Sequence, residues 1–302
     1  MSLTTPVPGA KFIDPVVLAK IGNLEFIAKT VVDGLINGTH RSPFFGASVD
    51  FAEHRGYVAG DDIRRVDWRV FARTDKYYIK EFEADSNANF TVLLDISKSM
   101  GFGDRISKLD YGKTLAACLA YLANAQRDRV GLVTFDEGVV DHIPPSAKHL
   151  DVVLHTLDRS KPQRQGRLVE PVRKLAEHFG RRGIVVLISD FYAEPEEVFD
   201  AVGPIRFRGN DVVLFHVMDP REIDFSFAEP SSFEDMESGD QIPVVPAKLA
   251  ADYRALVEAH IQTLTQEATR KQVDYMLLNT SMPLDFALFR FLSMRERFAR
   301  SR

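Results

Sequence analysis

Cysteine is almost absent from this chain of 302 residues, with Cys118 standing alone. A single thiol excludes an internal disulfide framework and a cysteine zinc cluster, and its place in "TLAACLAYLA" reads as a packed position on a buried helix. An excess of one charge is missing too. Lys and Arg number 38 against 43 Asp and Glu, and the net charge of -5 gives no global pull toward nucleic acid or an anionic membrane. No apolar run is long enough to span a bilayer. The opening "MSLTTPVPGAKFIDP" lacks the basic-then-apolar order of a secretory signal, so the expected location is the cytoplasm. Catalytic signatures are missing as well. There is no Gly-x-x-x-x-Gly-Lys, no Gly-x-Ser-x-Gly elbow and no His-Glu-x-x-His. The eight histidines are scattered. "GFGDRI" holds two glycines of a dinucleotide fingerprint, but the third is missing and a carboxylate stands where pyrophosphate would lie.

What remains is a regular alternation of apolar runs and helical periodicity. From residue 89 onward, "FTVLLD", "DRVGLVTF", "GIVVLISD", "DVVLFHVMD" and "VDYMLLN" are strands of the kind buried on both faces. Between them lie "KLDYGKTLAACLAYLANAQ", with Leu115, Leu119 and Leu122 on one face, then "AKHLDVVLHTLDR" and "LVEPVRKLAEHFG". A long amphipathic helix follows, with Leu249, Tyr253, Leu256, His260 and Leu264 near helical spacing, and "PLDFALFRFLSMRERF" is the last helix. Two-sided apolar strands separated by helices predict an α/β fold, a doubly wound, mostly parallel sheet with helices on both faces. Residues 88–302 form this domain. Residues 1–87 are read as an N-terminal appendage: a loose arm, one helix over 16–36, then short strands and turns over 42–85.

In such a sheet ligands bind beyond the carboxyl ends of the strands. Four of these ends carry Asp95, Asp136, Asp190 and Asp219. The first continues as Asp95-x-Ser97-x-Ser99. Alternate residues of an extended turn point the same way, so one carboxylate and two hydroxyls face one point. With Asp190 they supply part of the hard-oxygen shell that Mg²⁺ takes. The competing reading is that Ser97 or Ser99 caps the next helix and Asp95 merely closes the strand.

Asp-x-Ser-x-Ser after the first strand, with "LISD" ending a later one, resembles the von Willebrand factor A-like domain and its metal-ion-dependent adhesion site. The segment 55–85, "RGYVAGDDIRRVDWRVFARTDKYYIKEFEAD", looks like the signature of the bacterial "domain of unknown function 58" family. It is carried by Gly60, Asp61, Asp62, Arg64, Asp67, Trp68, Arg69, Ala72, Arg73 and Thr74. These residues are expected to form an ion-pair network with Trp68 buried beside it, or else a partner-binding surface. The resemblance implies a non-enzymatic interaction or adaptor module that accompanies a MoxR-type AAA+ ATPase in assembling or activating other proteins. It implies a metal site of Asp95, Ser97, Ser99 and Asp190. One departure makes that site degenerate. The adhesion site takes a threonine from a loop that corresponds here to "RQGRLVEPVRKL", which has none, and Arg167 next to Gly166 would compete with a metal for Asp95 and Asp190. The alternative is a metal-assisted hydrolase on the same carboxylates, with Asp136 or Asp219 as base.

Overall fold

The computed structural model describes residues 14–19, 22–39, 53–57, 66, 68–81, 88–180, 182–227, 231–236, 239 and 241–300. Of the signature residues, Gly60, Asp61, Asp62, Arg64 and Asp67 fall outside them, as does the side chain of Arg69. The chain divides into two compact units. One takes in residues 34–87, and the other residues 88–302 together with the segment ending at Asp33. The N-terminal segment expected in the appendage therefore groups in part with the sheet. It is two helices rather than one, α1 (Pro15–Ala19) and α2 (Leu24–Thr39). Gly22 between them has φ +67°, a left-handed conformation that stops a helix.

The smaller unit pairs β1 (Glu53–Gly56) antiparallel with β2 (Tyr78–Glu81), and α3 (Trp68–Thr74) lies between them in sequence. Phe71 stacks on Tyr77 with centroids 4.5 Å apart, and Trp68 meets Phe71 edge-on at 6.0 Å. Trp68 was expected to be buried, yet it is 55% exposed. It opens the short helix, and its i+3 neighbour Phe71 packs edge-on against its ring.

The larger unit begins with β3 (Asn89–Asp95), a 3₁₀ turn (Lys98–Gly101) and α4 (Lys108–Ala125). It continues through β4 (Arg129–Phe135), β5 (Val139–Ser146), α5 (Leu150–Arg159), α6 (Val169–Ala176), β6 (Gly183–Ser189) and α7 (Pro195–Phe207). It is completed by β7 (Asp211–Met218), α8 (Pro220–Asp224), β8 (Ser231–Glu234), β9 (Gln241–Val244), α9 (Pro246–Arg270), β10 (Asp274–Asn279) and α10 (Leu284–Arg300). The six-stranded sheet runs β10-β7-β6-β3-β4-β5. All neighbours are parallel except β4 and β5, which run antiparallel. Counting from β3, this is a doubly wound order of the dinucleotide-binding kind, with the switch point between β3 and β6. This is the doubly wound, mostly parallel sheet expected from the sequence.

The two-sided apolar strands bury both faces. Leu93, Val133, Leu187 and Leu214 enter one core with Val172 of α6, Val198 of α7 and Leu264 of α9. Leu94 and Ile188 meet α4 on the other face. A Cβ at Gly112 would lie 3.2 Å from Leu94, so the missing side chain lets α4 sit close to the switch point. Phe291 of α10 closes this side against Phe90 at 5.9 Å. Strand β5 was not foreseen from its sequence. It contains Pro144 and Pro145, which an edge strand tolerates and a central one does not. The stripe expected along α9 is only half buried: Leu264 is inaccessible, while Leu249 and Leu256 are 44% and 70% exposed.

Candidate functional site

The site lies beyond the carboxyl ends of β3 and β6, at the switch point. Asp95, Ser97, Asp190 and Ser189 are all buried, and Ser99 is half-buried. Asp95 turns the chain on itself: its Oδ1 accepts from the Ser97 backbone N–H at 2.9 Å. Its Oδ2 accepts from the Ser189 hydroxyl at 2.7 Å. The Ser97 and Ser99 hydroxyls are 3.1 Å apart, brought together by the 3₁₀ turn that holds Ser99 rather than by an extended alternation. Ser97 precedes the 3₁₀ turn, but its side chain makes no capping hydrogen bond. The cap of α4 is Ser107, whose Oγ accepts from the Asp110 N–H at 3.0 Å. The capping role considered for Ser97 and Ser99 is thus filled by Ser107.

Asp190 is held by a residue the sequence reading passed over. Lys108, the first residue of α4, is fully buried. Its Nζ donates to Asp190 Oδ2 at 2.9 Å and to Glu222 Oε1 at 2.7 Å. It also lies over the Tyr192 ring, 4.7 Å from the centroid, a favourable cation–π position. Tyr192 donates its hydroxyl to the same Glu222 oxygen at 2.7 Å. The other Glu222 oxygen accepts from the Asp219 N–H at 2.9 Å in a capping box that starts α8. Arg167, expected to compete for these carboxylates, is exposed, and its backbone N–H is tied to the Asp136 carbonyl at 3.0 Å.

The charge balance of this buried end is uneven. Asp95, Asp136, Asp190, Asp219 and Glu222 are buried there, and among the described residues Lys108 is the one buried cation. Burial and the neighbouring Asp190 charge push the Asp95 carboxyl up to about 7, against the opposing hydrogen bonds from Ser189 and Ser97. For Lys108 burial disfavours the charge, but Asp190 and Glu222 outweigh it and raise its pKa. Behind the site, burial drives the His216 imidazole down to about 3, so it is neutral. Its Nδ1 shares a hydrogen bond with Tyr275 at 2.7 Å. Phe191, left-handed at φ +46°, presents its carbonyl to His260 Nε2 of α9 at 2.8 Å.

The donors fit a hard cation in part. Asp95, Ser97 and Ser99 offer converging oxygens, and among the described residues no cation pairs with Asp95. Asp190 already has one in Lys108. The loop 160–168 contributes the Arg164 carbonyl, which accepts from the Lys98 N–H at 2.9 Å, but no threonine. Among the described residues no three His, Cys, Asp or Glu side chains form a metal-holding cluster.

The sequence profile described as "Protein of unknown function DUF58" matches residues 53–263. The chain belongs to the DUF58 family. Uncharacterized proteins of Mycobacterium bovis (Mb1516) and Mycobacterium tuberculosis (Rv1480) are 28% identical to it over 295 residues, covering 95% of this chain and 92% of theirs. Among solved structures, an aerotolerance-related membrane protein from Bacteroides fragilis is similar at 19% identity and a TM-score of 0.48, over 68% of this chain and 99% of its own. BatB from Bacteroides thetaiotaomicron matches at 18% and 0.46, over 70% and 99%. The SpRpn10 VWA domain matches at 10% and 0.37, over 67% and 93%. Among the described residues no helix of this DUF58 protein is long and apolar enough to cross a membrane.

Proposed function

We propose that this DUF58 protein is a non-enzymatic adaptor that binds a protein partner over the carboxyl end of its sheet. The observation that carries the reading is the buried Asp95 carboxylate beside the paired Ser97 and Ser99 hydroxyls, with no cation paired to it among the described residues. Asp95, Ser97 and Ser99 would hold Mg²⁺, which supplies a point of attachment for a partner's carboxylate. Asp190 shapes the site from outside, its charge answered by Lys108. The family resemblance makes a MoxR-type AAA+ ATPase the partner to try first, with assembly or activation of other proteins as the outcome.

The hydrolase alternative is weakened by the hydrogen bonds that its two candidate bases already accept. Asp219 Oδ1 accepts from the Arg221 N–H at 2.8 Å. Its Oδ2 accepts from the Asp104 N–H at 3.1 Å and the Thr280 hydroxyl at 3.3 Å. Asp136 Oδ1 accepts from the Gly138 N–H at 3.2 Å. These contacts occupy both Asp219 oxygens and one oxygen of Asp136. The test is calorimetric titration of Mg²⁺ and Mn²⁺ into the native chain and Asp95→Ala. Binding at millimolar ion or tighter, lost in the variant, is expected. Absence of binding to the native chain removes the metal, and absence of a complex with the ATPase in a pull-down removes the partner.

A further inference from the structure

His260 interrupts the apolar stripe of α9, one turn after Leu256 and one turn before the buried Leu264, and it is half-buried. Its Nε2 lies 2.8 Å from the Phe191 carbonyl. A carbonyl only accepts, so Nε2 carries the proton and His260 is the donor. Phe191 follows Asp190 directly, is 1% exposed and has φ +46°. Left-handed backbone is rare at a bulky residue, persists only where the surroundings over-determine it, and clusters at functional sites. Three contacts hold Phe191 there. Its N–H donates to Ser189 Oγ at 3.2 Å, its carbonyl accepts from His260, and its ring meets the His216 ring edge-on at 5.6 Å. His216 in turn meets His260 edge-on at 6.3 Å, and the Tyr275 hydroxyl holds its Nδ1 at 2.7 Å. The turn after Asp190 is thus braced from α9 and from β10 together.

Ser189 turns this brace toward the site. A serine hydroxyl has one proton and two lone pairs. The Phe191 N–H takes up one lone pair, and the proton goes to Asp95 Oδ2 at 2.7 Å. The other carboxylate oxygen, Asp95 Oδ1, accepts from the Ser97 N–H at 2.9 Å. One unbroken run of hydrogen bonds therefore leads from α9 to the candidate attachment point: His260 to Phe191, Phe191 to Ser189, Ser189 to Asp95, and Ser97 to the far side of the same carboxylate. Phe191, Ser189, Asp95 and Ser97 are all buried, and linked hydrogen bonds in a water-poor interior strengthen one another. We infer that His260 is a positioning residue of the Asp95 site. From α9 it fixes the Phe191 turn, the turn aims the Ser189 hydroxyl, and the hydroxyl sets the orientation of the Asp95 carboxylate. The site is thereby regulated from α9, because a displacement of that helix withdraws the donor and frees Asp95 to turn. This role rests on the reading of Asp95 as the attachment point, while the run of bonds itself needs no bound ion.

The test compares the native full chain with His260→Ala, which removes the donor, and His260→Gln, which returns an N–H at similar reach. Thr263→Ala, at an exposed position of the same helix, is the control. Should His260→Ala fail to fold, His260→Asn takes its place, since its shorter amide falls short of the carbonyl. Amide hydrogen exchange without metal reads Phe191 and Ser97, with the β4 amides as the reference for global opening. Calorimetric titration reads Mg²⁺ and Mn²⁺ affinity. In His260→Ala, exchange at Phe191 and Ser97 should quicken about tenfold while β4 keeps its protection, and ion affinity should fall about threefold or more. His260→Gln should restore most of both, and Thr263→Ala should match the native chain. Ser97 exchange unmoved in His260→Ala, or quickened equally in His260→Gln or throughout β4, overturns the positioning role. Native-like ion affinity in His260→Ala overturns it too and leaves the metal standing. A native chain that binds no ion removes the metal, and Ser97 exchange then decides alone: quickening in His260→Ala with recovery in His260→Gln upholds the role, and any other pattern overturns it.

Discussion

Replacing Lys108 by Met removes the one buried cation described at the sheet's carboxyl end while keeping much of the side chain's volume. The native ammonium is inaccessible to solvent and makes two charge-assisted bonds of 2.9 and 2.7 Å, to Asp190 and Glu222. Its loss leaves two buried carboxylates without their counter-ion. Removing one partner of a buried ion pair costs about 3–5 kcal/mol, a large part of the ~5–15 kcal/mol that holds an ordinary domain folded. Chemical denaturation of native, Lys108→Met and Lys108→Met/Glu222→Gln chains measures this. Lys108→Met should lose ~3–5 kcal/mol. The double variant should recover about 1–2 kcal/mol of it, because an amide in place of Glu222 is no longer an orphaned charge. The recovery stays partial because Asp190 is still unpaired. Lys108 is also the residue that answers the Asp190 charge, so Mg²⁺ should stabilise Lys108→Met by more than it stabilises the native chain. The raised Lys108 pKa confines its own titration to strongly alkaline pH. Its stabilisation is full below the unfolded lysine value near 10.5 and is lost only as pH rises through the higher folded value, so the comparison at neutral pH is clean. A Lys108→Met chain within ~1 kcal/mol of native, or a double variant no better than the single, would refute the charge accounting.

The remaining predictions concern Asp95, the edge strand and the exposed aromatics. Asp95 has a folded value of about 7 against 3.8 unfolded, so its contribution is full below pH 4 and is lost as pH rises through 7. The native chain without metal should therefore lose up to about 4 kcal/mol across that window; denaturation midpoints read at half-unit pH steps will show it, and Asp95→Asn should flatten the slope. Because the metal takes the ionised carboxylate, Mg²⁺ affinity should weaken below pH 7 with uptake of protons to Asp95, read by titration in buffers of different ionisation heat. Gly131→Ala would push a Cβ to 2.8 Å from the Ile143 carbonyl and 2.9 Å from the Pro145 nitrogen, so it should shift β5 and cost about 1–3 kcal/mol in thermal or chemical unfolding. Trp68→Ala, at a half-exposed ring, should change stability by less than about 1 kcal/mol while lowering affinity if the aromatic surface of the smaller unit contacts a partner, a split that unfolding and binding assays separate.

Much of this architecture is written in short-range pattern. Five of the six strands of the main sheet were legible as apolar runs: β3, β4, β6 and β7 are buried along nearly their whole length, while β10, "DYMLLN" at the sheet edge, is only partly buried. Asp95, Ser97 and Ser99 are close in space because they share one short turn, but Ser99 lies in a 3₁₀ turn rather than the extended one expected. Strand β5 was not legible, because "VVDHIPPS" has the prolines of a loop and its pairing with β4 is a property of position at the sheet edge. The break at Gly22 was visible as a glycine, but apolar spacing on either side of it concealed two helices as one. Arg167 follows Gly166 in the loop, yet its exposure depends on the Asp136 carbonyl that holds its backbone, a contact across 31 positions that no local pattern encodes.

Lys108 is the more instructive omission, because the sequence does carry a signal for it. A lysine as the first residue of a helix meets the positive end of the helix dipole and the unpaired N–H groups of the first turn, the place where a carboxylate is favoured and a cation is not. In "SKLDYGKTLAACLAYLA" that lysine opens a helix whose later residues 115–123 are all apolar, so the helix that carries it must be buried against the sheet. An unfavourable cation at a buried helix start can persist only if carboxylates from elsewhere converge on it, and the strand-end aspartates were the available ones. Followed through, that argument pairs Lys108 with Asp190, leaves Asp95 as the carboxylate without a cation, and locates the question of metal binding on Asp95, Ser97 and Ser99. It also explains how a site lacking the expected threonine keeps its shape. The lysine supplies from within the fold the counter-charge Asp190 needs.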